Sequence, residues 1–187
     1  MPNADLALNA CLGLGVRTAL DVGSGDGWHA ARLRSAGIKV TTVSLKEGAD
    51  IVGDYLKADC GKFDLVWASH VLEHQPNPGL FLCKCFDDLA EDGWLCVTVP
   101  PLKHEIVGGH VSLWNAGILL YHLILAGFDC RAAKVKTYGY NISVLVQKRL
   151  AVLPPLAMDF GDIESLAGFF PMPVCNGFDG NIQEVNW

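Results

Sequence analysis

Residues 18–27, Thr-Ala-Leu-Asp-Val-Gly-Ser-Gly-Asp-Gly, carry an apolar, strand-like segment straight into three alternating glycines, and a helical stretch follows from Trp28. Glycines so placed let the backbone turn sharply and let a ligand approach without meeting a Cβ. Around this unit, apolar runs bounded by Gly, Asp and Asn alternate with longer helical stretches. That rhythm calls for a mostly parallel sheet with helices on both faces. Strands are expected at 18–22, 38–45, 51–52, 63–69 and 94–99, and helices at 28–35, 77–89 and 114–126. Each strand is nearly continuous in apolar residues, as strands covered on both faces must be. Two more strands, 129–135 and 142–147, are separated only by 136–141. A link that short permits an antiparallel hairpin but no parallel crossover, so the sheet is expected to end on a reversed strand.

The 187 residues suit one domain, and a composition of 51% hydrophobic and 18% charged residues excludes intrinsic disorder. The periodic pattern fills residues 1–150 and then breaks at Pro154-Pro155, Pro171, Pro173, Gly177 and Gly180, with one short helix expected at 163–169. The extension 151–187 carries Leu156, Phe160, Phe169, Phe170, Phe178 and Trp187, too apolar for a solvated linker. It is expected to pack on the domain or on a partner subunit, which would make a homo-oligomer. A net charge of −6 with no basic stripe argues against nucleic acid. No apolar stretch reaches the roughly 18 residues that span a bilayer. Residues 1–8 carry no Lys or Arg and so lack the charged region of a secretory signal, which points to the cytoplasm. The seven cysteines are an odd number, and several sit inside apolar runs, as reduced buried thiols do.

The glycine spacing narrows the ligand class. A dinucleotide fingerprint, G-x-G-x-x-G, would put its third glycine at position 28, where this chain has Trp28. NAD is therefore disfavoured. Asp21, two residues before the first glycine, suits a cationic or amine-bearing ligand by charge complementarity.

Asp21 to Gly27 resembles the first motif of the class I S-adenosylmethionine-dependent methyltransferases, a strand-end acid followed by G-x-G-x-G. Further blocks follow in the family's order: Gly53-Asp54, then Phe63-Asp64-Leu65-Val66-Trp67-Ala68-Ser69-His70-Val71-Leu72-Glu73-His74, then Asp92-Gly93-Trp94-Leu95-Cys96-Val97-Thr98-Val99-Pro100. The resemblance covers residues 15–148 and is closest to the branch of ubiquinone-biosynthesis and small-molecule methyltransferases. It implies a Rossmann-like doubly wound sheet of order 3-2-1-4-5-7-6 and S-adenosylmethionine as cofactor. Residue by residue, it implies that Gly23, Ser24, Gly25 and Gly27 lie along the methionine part of the cofactor. Asp21 would serve the ammonium and Asp54 the adenine amino group, with Ser69 at the end of the fourth strand beside them. The family carries Asp or Glu at the end of the second strand for the ribose hydroxyls, and this chain has Ser44 there, with Glu47 three residues on. One hydroxyl cannot supply the two acceptor oxygens of a carboxylate.

Ligands of open α/β sheets sit outside the carboxyl ends of the strands, which nominates Ser69, His70, His74, Pro100, Pro101, His104 and His110 to face the acceptor. A nitrogen acceptor needs only alignment. An alcohol must also lose a proton, and histidine is the best-matched base near neutrality. His110, presented by Gly108-Gly109, is the first candidate and His70 the second, while His74 reads as shaping the turn into the next helix. The acidic residues Asp87, Asp88, Glu91 and Asp92 cluster away from the strand tips and read as solvated charge, so no metal site is inferred. O-methylation of a small molecule or a sugar hydroxyl is the expected activity. The alternatives are N-methylation of a small molecule and a binding domain that has lost its chemistry, a reading that Ser44 favours and the glycine loop and Asp54 oppose.

Overall fold

A computed structural model describes residues 4–187. Its eight strands are β1 (Thr18–Val22), β2 (Lys39–Ser44), β3 (Ile51–Val52), β4 (Phe63–Ser69), β5 (Leu89–Val99), β6 (Lys134–Tyr138), β7 (Asn141–Gln147) and β8 (Glu184–Val185). They form one sheet of order β3-β2-β1-β4-β5-β7-β6-β8. The first five run parallel, β7 is antiparallel to β5, and β6 is antiparallel to both β7 and β8. This is the Rossmann-like methyltransferase order with the reversed strand in place, extended at one edge by β8.

Alternation along the central strands builds two cores. Ala19, Leu65, Trp67 and Cys96 face helices α1 (Asp5–Leu12) and α2 (Trp28–Ser35), which contribute Ala7, Leu8, Cys11, Ala30 and Leu33. Leu20, Val22, Val66, Ala68 and Val97 face the other way, toward α3 (Pro78–Asp88) and α4 (Ala116–Leu125). Sheet residues buried on both faces need the continuous apolar strands that the sequence shows.

Local chemistry explains where the elements depart from the sequence expectation. The α4 helix begins at Ala116 because the Asn115 side chain accepts from Ile118 N at 2.8 Å, and α3 begins at Pro78 because Asn77 accepts from Leu80 N at 3.1 Å. The strand expected at 129–135 lies at Lys134–Tyr138, because the Asp129 carboxylate accepts from Arg131 N and Nε and holds a turn there. Two elements, α1 and β8, have no counterpart in the sequence reading. The extension packs on the same chain: Leu166, Phe170 and Ile182 are buried in the core that includes α4, and β8 pairs with β6. Within it, the helix α5 spans Asp162–Leu166. Among the described residues, no helix is long and apolar enough to cross a membrane.

Candidate functional site

The chain leaves β1 toward β2 on one side of the sheet and reaches β4 on the other, so a crevice opens beyond the carboxyl ends of β1 and β4. A cavity of about 730 Å³ occupies it. That size lies within the range of small-molecule and cofactor pockets. Its floor is the glycine loop. Gly23 N donates to Val43 O at 2.8 Å, Gly25 follows, and both have left-handed φ, 71° and 55°. A Cβ on Gly23 would stand 2.3 Å from Val71 Cγ2, so only glycine lets the loop pass under the β4 turn. Gly27, also left-handed, leads into α2.

The structure sorts the residues nominated from sequence. Gly23, Gly25, Ser44, Asp54, His70 and His74 line the cavity; Asp21, Ser24, Gly27, Glu47, Ser69 and His110 do not. Ser44 Oγ accepts from Lys46 N at 3.2 Å, and Asp54 accepts from Leu56 N at 3.1 Å while capping a single 3-10 turn. Asp54 therefore lines the cavity while serving the turn, with its Oδ2 3.6 Å from Lys57 Nζ. The remaining wall includes Val71, from the block that follows β4, and Leu45, Leu56 and Pro76, apolar positions that no motif marks.

Asp21 lies beneath α2 rather than on the wall. It is 1% exposed, and Oδ2 has no hydrogen-bond partner. Burial raises its pKa from an ordinary 3.8 to about 7, against the pull of the Ala30 N–H and the Arg34 guanidinium. A folded-state pKa above the unfolded one means that the folded chain binds the extra proton. This group's contribution to stability is thus full below pH 3.8 and is lost as pH rises toward 7 and beyond. Asp21→Asn should remove that slope. Its Tm relative to the native chain should rise between pH 5 and pH 8, by a difference equivalent to at most about 2.7 kcal/mol. A Tm difference that stays constant across that range, in paired thermal melts, would contradict the assignment.

Beyond β4 the chain makes one 3-10 turn, Leu72–His74. His70 sits there with φ 54°, a left-handed conformation uncommon outside glycine. Its Nε2 is 2.9 Å from Asn141 Oδ1 and its Nδ1 is 3.2 Å from Glu73 Oε1. Burial alone would lower the pKa of His70, but its contacts with Glu73 and Asn141 and the Glu73 charge outweigh that and raise it. A second cavity of about 210 Å³ lies under the loop 100–114, lined by Pro101, Lys103, His110, Trp114 and Tyr140 among others. The loop is closed at its base by Leu102 N donating to Trp114 O at 2.7 Å.

Two histidines and an acid meet between the cavities. Glu73, His74 and His110 place one ligand atom each within 4.8 Å of one another. Of the four acids that the sequence reading weighed for a metal, three are paired elsewhere: Asp88 with Lys84, Glu91 with Lys148 and Asp92 with Arg149. No sequence spacing marks the grouping of 73, 74 and 110, because a loop closure creates it.

The arrangement fits a nucleoside-bearing cofactor. Its glycine floor admits close approach, and Asp54 and Ser44 supply acceptors at the far side. Comparison with known proteins agrees with this geometry. The family model described as "Methyltransferase domain" matches residues 8–128. A ubiquinone biosynthesis O-methyltransferase of Glaesserella parasuis is 29% identical over 109 residues, and the match spans 46% of this chain and 46% of that enzyme. The chain thus matches about half the length of this curated relative. Among solved structures, the 1,6-didemethyltoxoflavin-N1-methyltransferase of Burkholderia thailandensis, with bound 1,6-didemethyltoxoflavin and S-adenosylhomocysteine, has a TM-score of 0.64. It is 20% identical, over 78% of this chain and 76% of that one. A SAM-dependent methyltransferase from Archaeoglobus fulgidus has a TM-score of 0.66 at 16% identity, over 78% of this chain and 92% of that one.

Proposed function

The chain belongs to the methyltransferase domain family, and on that premise we propose that it transfers a methyl group from S-adenosylmethionine to a hydroxyl oxygen of a small molecule or a sugar. The carrying observation is the cavity itself, which joins a glycine floor on one side to a histidine, His70, on the other. The bound cofactor supplies an electrophilic methyl group. The chain's own residues bind and orient it: Gly23 and Gly25 admit the methionine part, Asp54 accepts from the adenine amino group, and Ser44 faces the ribose with one hydroxyl. Asp21, Ser24, Gly27 and Ser69 act behind this surface by fixing the loop and the strand ends.

His70 is the proposed proton acceptor. It borders the cavity, whereas His110, favoured from sequence, opens on the smaller one. Glu73 orients the ring through Nδ1, and Nε2 takes the proton when its 2.9 Å contact with Asn141 Oδ1 opens. Oxygen is preferred over nitrogen as acceptor because a held histidine at the cavity wall serves a group that must lose a proton. The relation to an O-methyltransferase points the same way.

Titration with S-adenosylmethionine, followed by transfer of radiolabelled methyl to panels of phenols, sugars and amines, tests this reading. Labelling confined to hydroxyl acceptors supports it. Labelling confined to amines overturns the oxygen assignment, and absence of cofactor binding at millimolar concentration overturns the enzyme reading. On an accepted hydroxyl substrate, His70→Ala should lower kcat by about 10²- to 10⁴-fold with cofactor affinity unchanged. A variant that keeps the native rate would remove His70 from the chemistry.

A further inference from the structure

We propose that Glu73, His74 and His110 form a binding site for one divalent first-row metal ion, of the class of zinc or cobalt(II), where the two cavities meet. Three independent features of the site carry this. The Glu73 side chain is fully buried, and only the His70 and His74 imidazoles, at 3.2 and 3.9 Å, reach either of its oxygens. Burying a carboxylate costs several kcal/mol unless charge and hydrogen bonds compensate it. The His70 contact at 3.2 Å reaches Oε1 alone, so Oε2 is left with no partner.

The second feature is the way His74 is held. Its Nδ1 lies 2.7 Å from the carbonyl oxygen of Gly109, to which it donates, and this turns Nε2 toward Glu73 Oε1 at 3.9 Å. A backbone carbonyl on one ring nitrogen is the usual means of fixing the tautomer and direction of a metal-binding histidine. The third feature is the construction of the loop that delivers His110. Val111 N and Ser112 N both donate to the backbone carbonyl of Glu73, at 2.8 and 3.3 Å. Gly109 has φ 82°, and a Cβ there would come within 3.2 Å of His74 Nδ1. The His74 and His110 rings then meet edge to face with centroids 5.0 Å apart. The loop is thus pinned to the residue that carries the buried carboxylate.

Two imidazoles and one carboxylate favour zinc, cobalt, nickel or iron over magnesium and calcium, which take oxygen ligands. Bonds of about 2.0 to 2.1 Å place tetrahedral donors about 3.3 Å apart, so the imidazoles need to close by about 1.5 Å at most. His74, with 44% of its side chain exposed, has room to do so. Three protein ligands leave a position open, which is the form of a reactive rather than a structural site. In the methyltransferase reading, on which this role but not the metal binding rests, the open position takes the acceptor hydroxyl. The coordinated hydroxyl is the stronger acid. Its proton would pass to His70 as the new C–O bond forms and the methyl–sulfur bond breaks.

The test is a cobalt(II) titration of the full chain, first stripped with a chelator, followed through the visible absorption of the bound ion and reversed by zinc. The expected result is one equivalent bound, weakened more than about tenfold in His110→Ala and in Glu73→Gln, unchanged in His104→Ala, and not displaced by millimolar magnesium. Should the buried Glu73 variant fail to fold, His110→Ala on its own loop carries the comparison. Absence of binding, or equal binding by His110→Ala and the native chain, overturns the proposal. S-adenosylhomocysteine titrated into the same samples separates the two readings. Binding of that ligand without cobalt overturns the metal site alone, and cobalt binding without that ligand overturns the methyltransferase reading while leaving the metal site standing.

Discussion

A chain ending at Leu150 is expected to lose its cooperative fold. The extension is part of the core rather than a cover on it: Leu166 is fully buried, Phe170 is 4% exposed and Ile182 is 7% exposed. Burial of side chains of this size is worth about 1.5 to 3 kcal/mol each, so these three contribute on the order of 5 to 9 kcal/mol. That is comparable to the whole stability of a typical domain. The polar ties go with them. Gly117 N donates to Gly180 O at 2.9 Å, Thr137 N to Gln183 O at 2.8 Å and Thr137 Oγ1 to Ile182 O at 2.7 Å. Their removal leaves the apolar side of α4 and the edge of β6 exposed. Circular dichroism melts should show a broad transition or none, with strong binding of a hydrophobic dye. A truncated chain that melts sharply within a few degrees of the full one would show that residues 151–187 are not structural.

The parts of this molecule that local rules govern could be read from the sequence, and the parts that depend on docking could not. The glycine loop was legible because alternating glycines after an apolar strand have few other uses, and Gly23 and Gly25 do take left-handed φ. The reversed edge of the sheet was legible because a link of a few residues forbids a parallel crossover, and the hairpin between β6 and β7 turns between Tyr138 and Asn141. In contrast, α1 has no polar face to mark its period: DLALNACL carries one charge, and Ala7, Leu8 and Cys11 are buried against Trp67, Cys96 and Leu145. The two-residue β8 gains its order from pairing with β6, which no window of its own sequence could announce. The same division runs through the site. Asp54 follows Gly53 at a turn that its own side chain caps, so its place was local. His74 and His110 meet only because two amides of the loop bond the Glu73 carbonyl, a contact across more than thirty residues.

Gly25→Val should abolish binding of S-adenosylmethionine and its demethylated product while leaving a folded protein, and this contrast is what makes it the decisive variant of the loop. A Cβ at Gly25 finds its nearest neighbour, Gly23 O, at 3.9 Å, so the added Cβ strikes nothing in the fold. The fold's own cost is that of a β-branched residue at φ 55°, about 1 to 2 kcal/mol, which should lower Tm by several degrees. The space it enters is the cavity that Gly25 lines, where the ligand has to approach the backbone. Valine there should weaken binding by at least about 10²-fold, or roughly 2.7 kcal/mol, and Gly25→Ala by less. Gly23→Ala supplies the opposite pattern. Its Cβ would lie 2.3 Å from Val71 Cγ2, so it should lose stability even though it adds only a methyl group. Calorimetric titration with S-adenosylhomocysteine, paired with thermal melts of all three variants, reads both quantities. Native affinity in a folded Gly25→Val chain would remove the loop from the binding site. Equal stability losses at positions 23 and 25 would remove the argument that Val71 is what demands a glycine at 23.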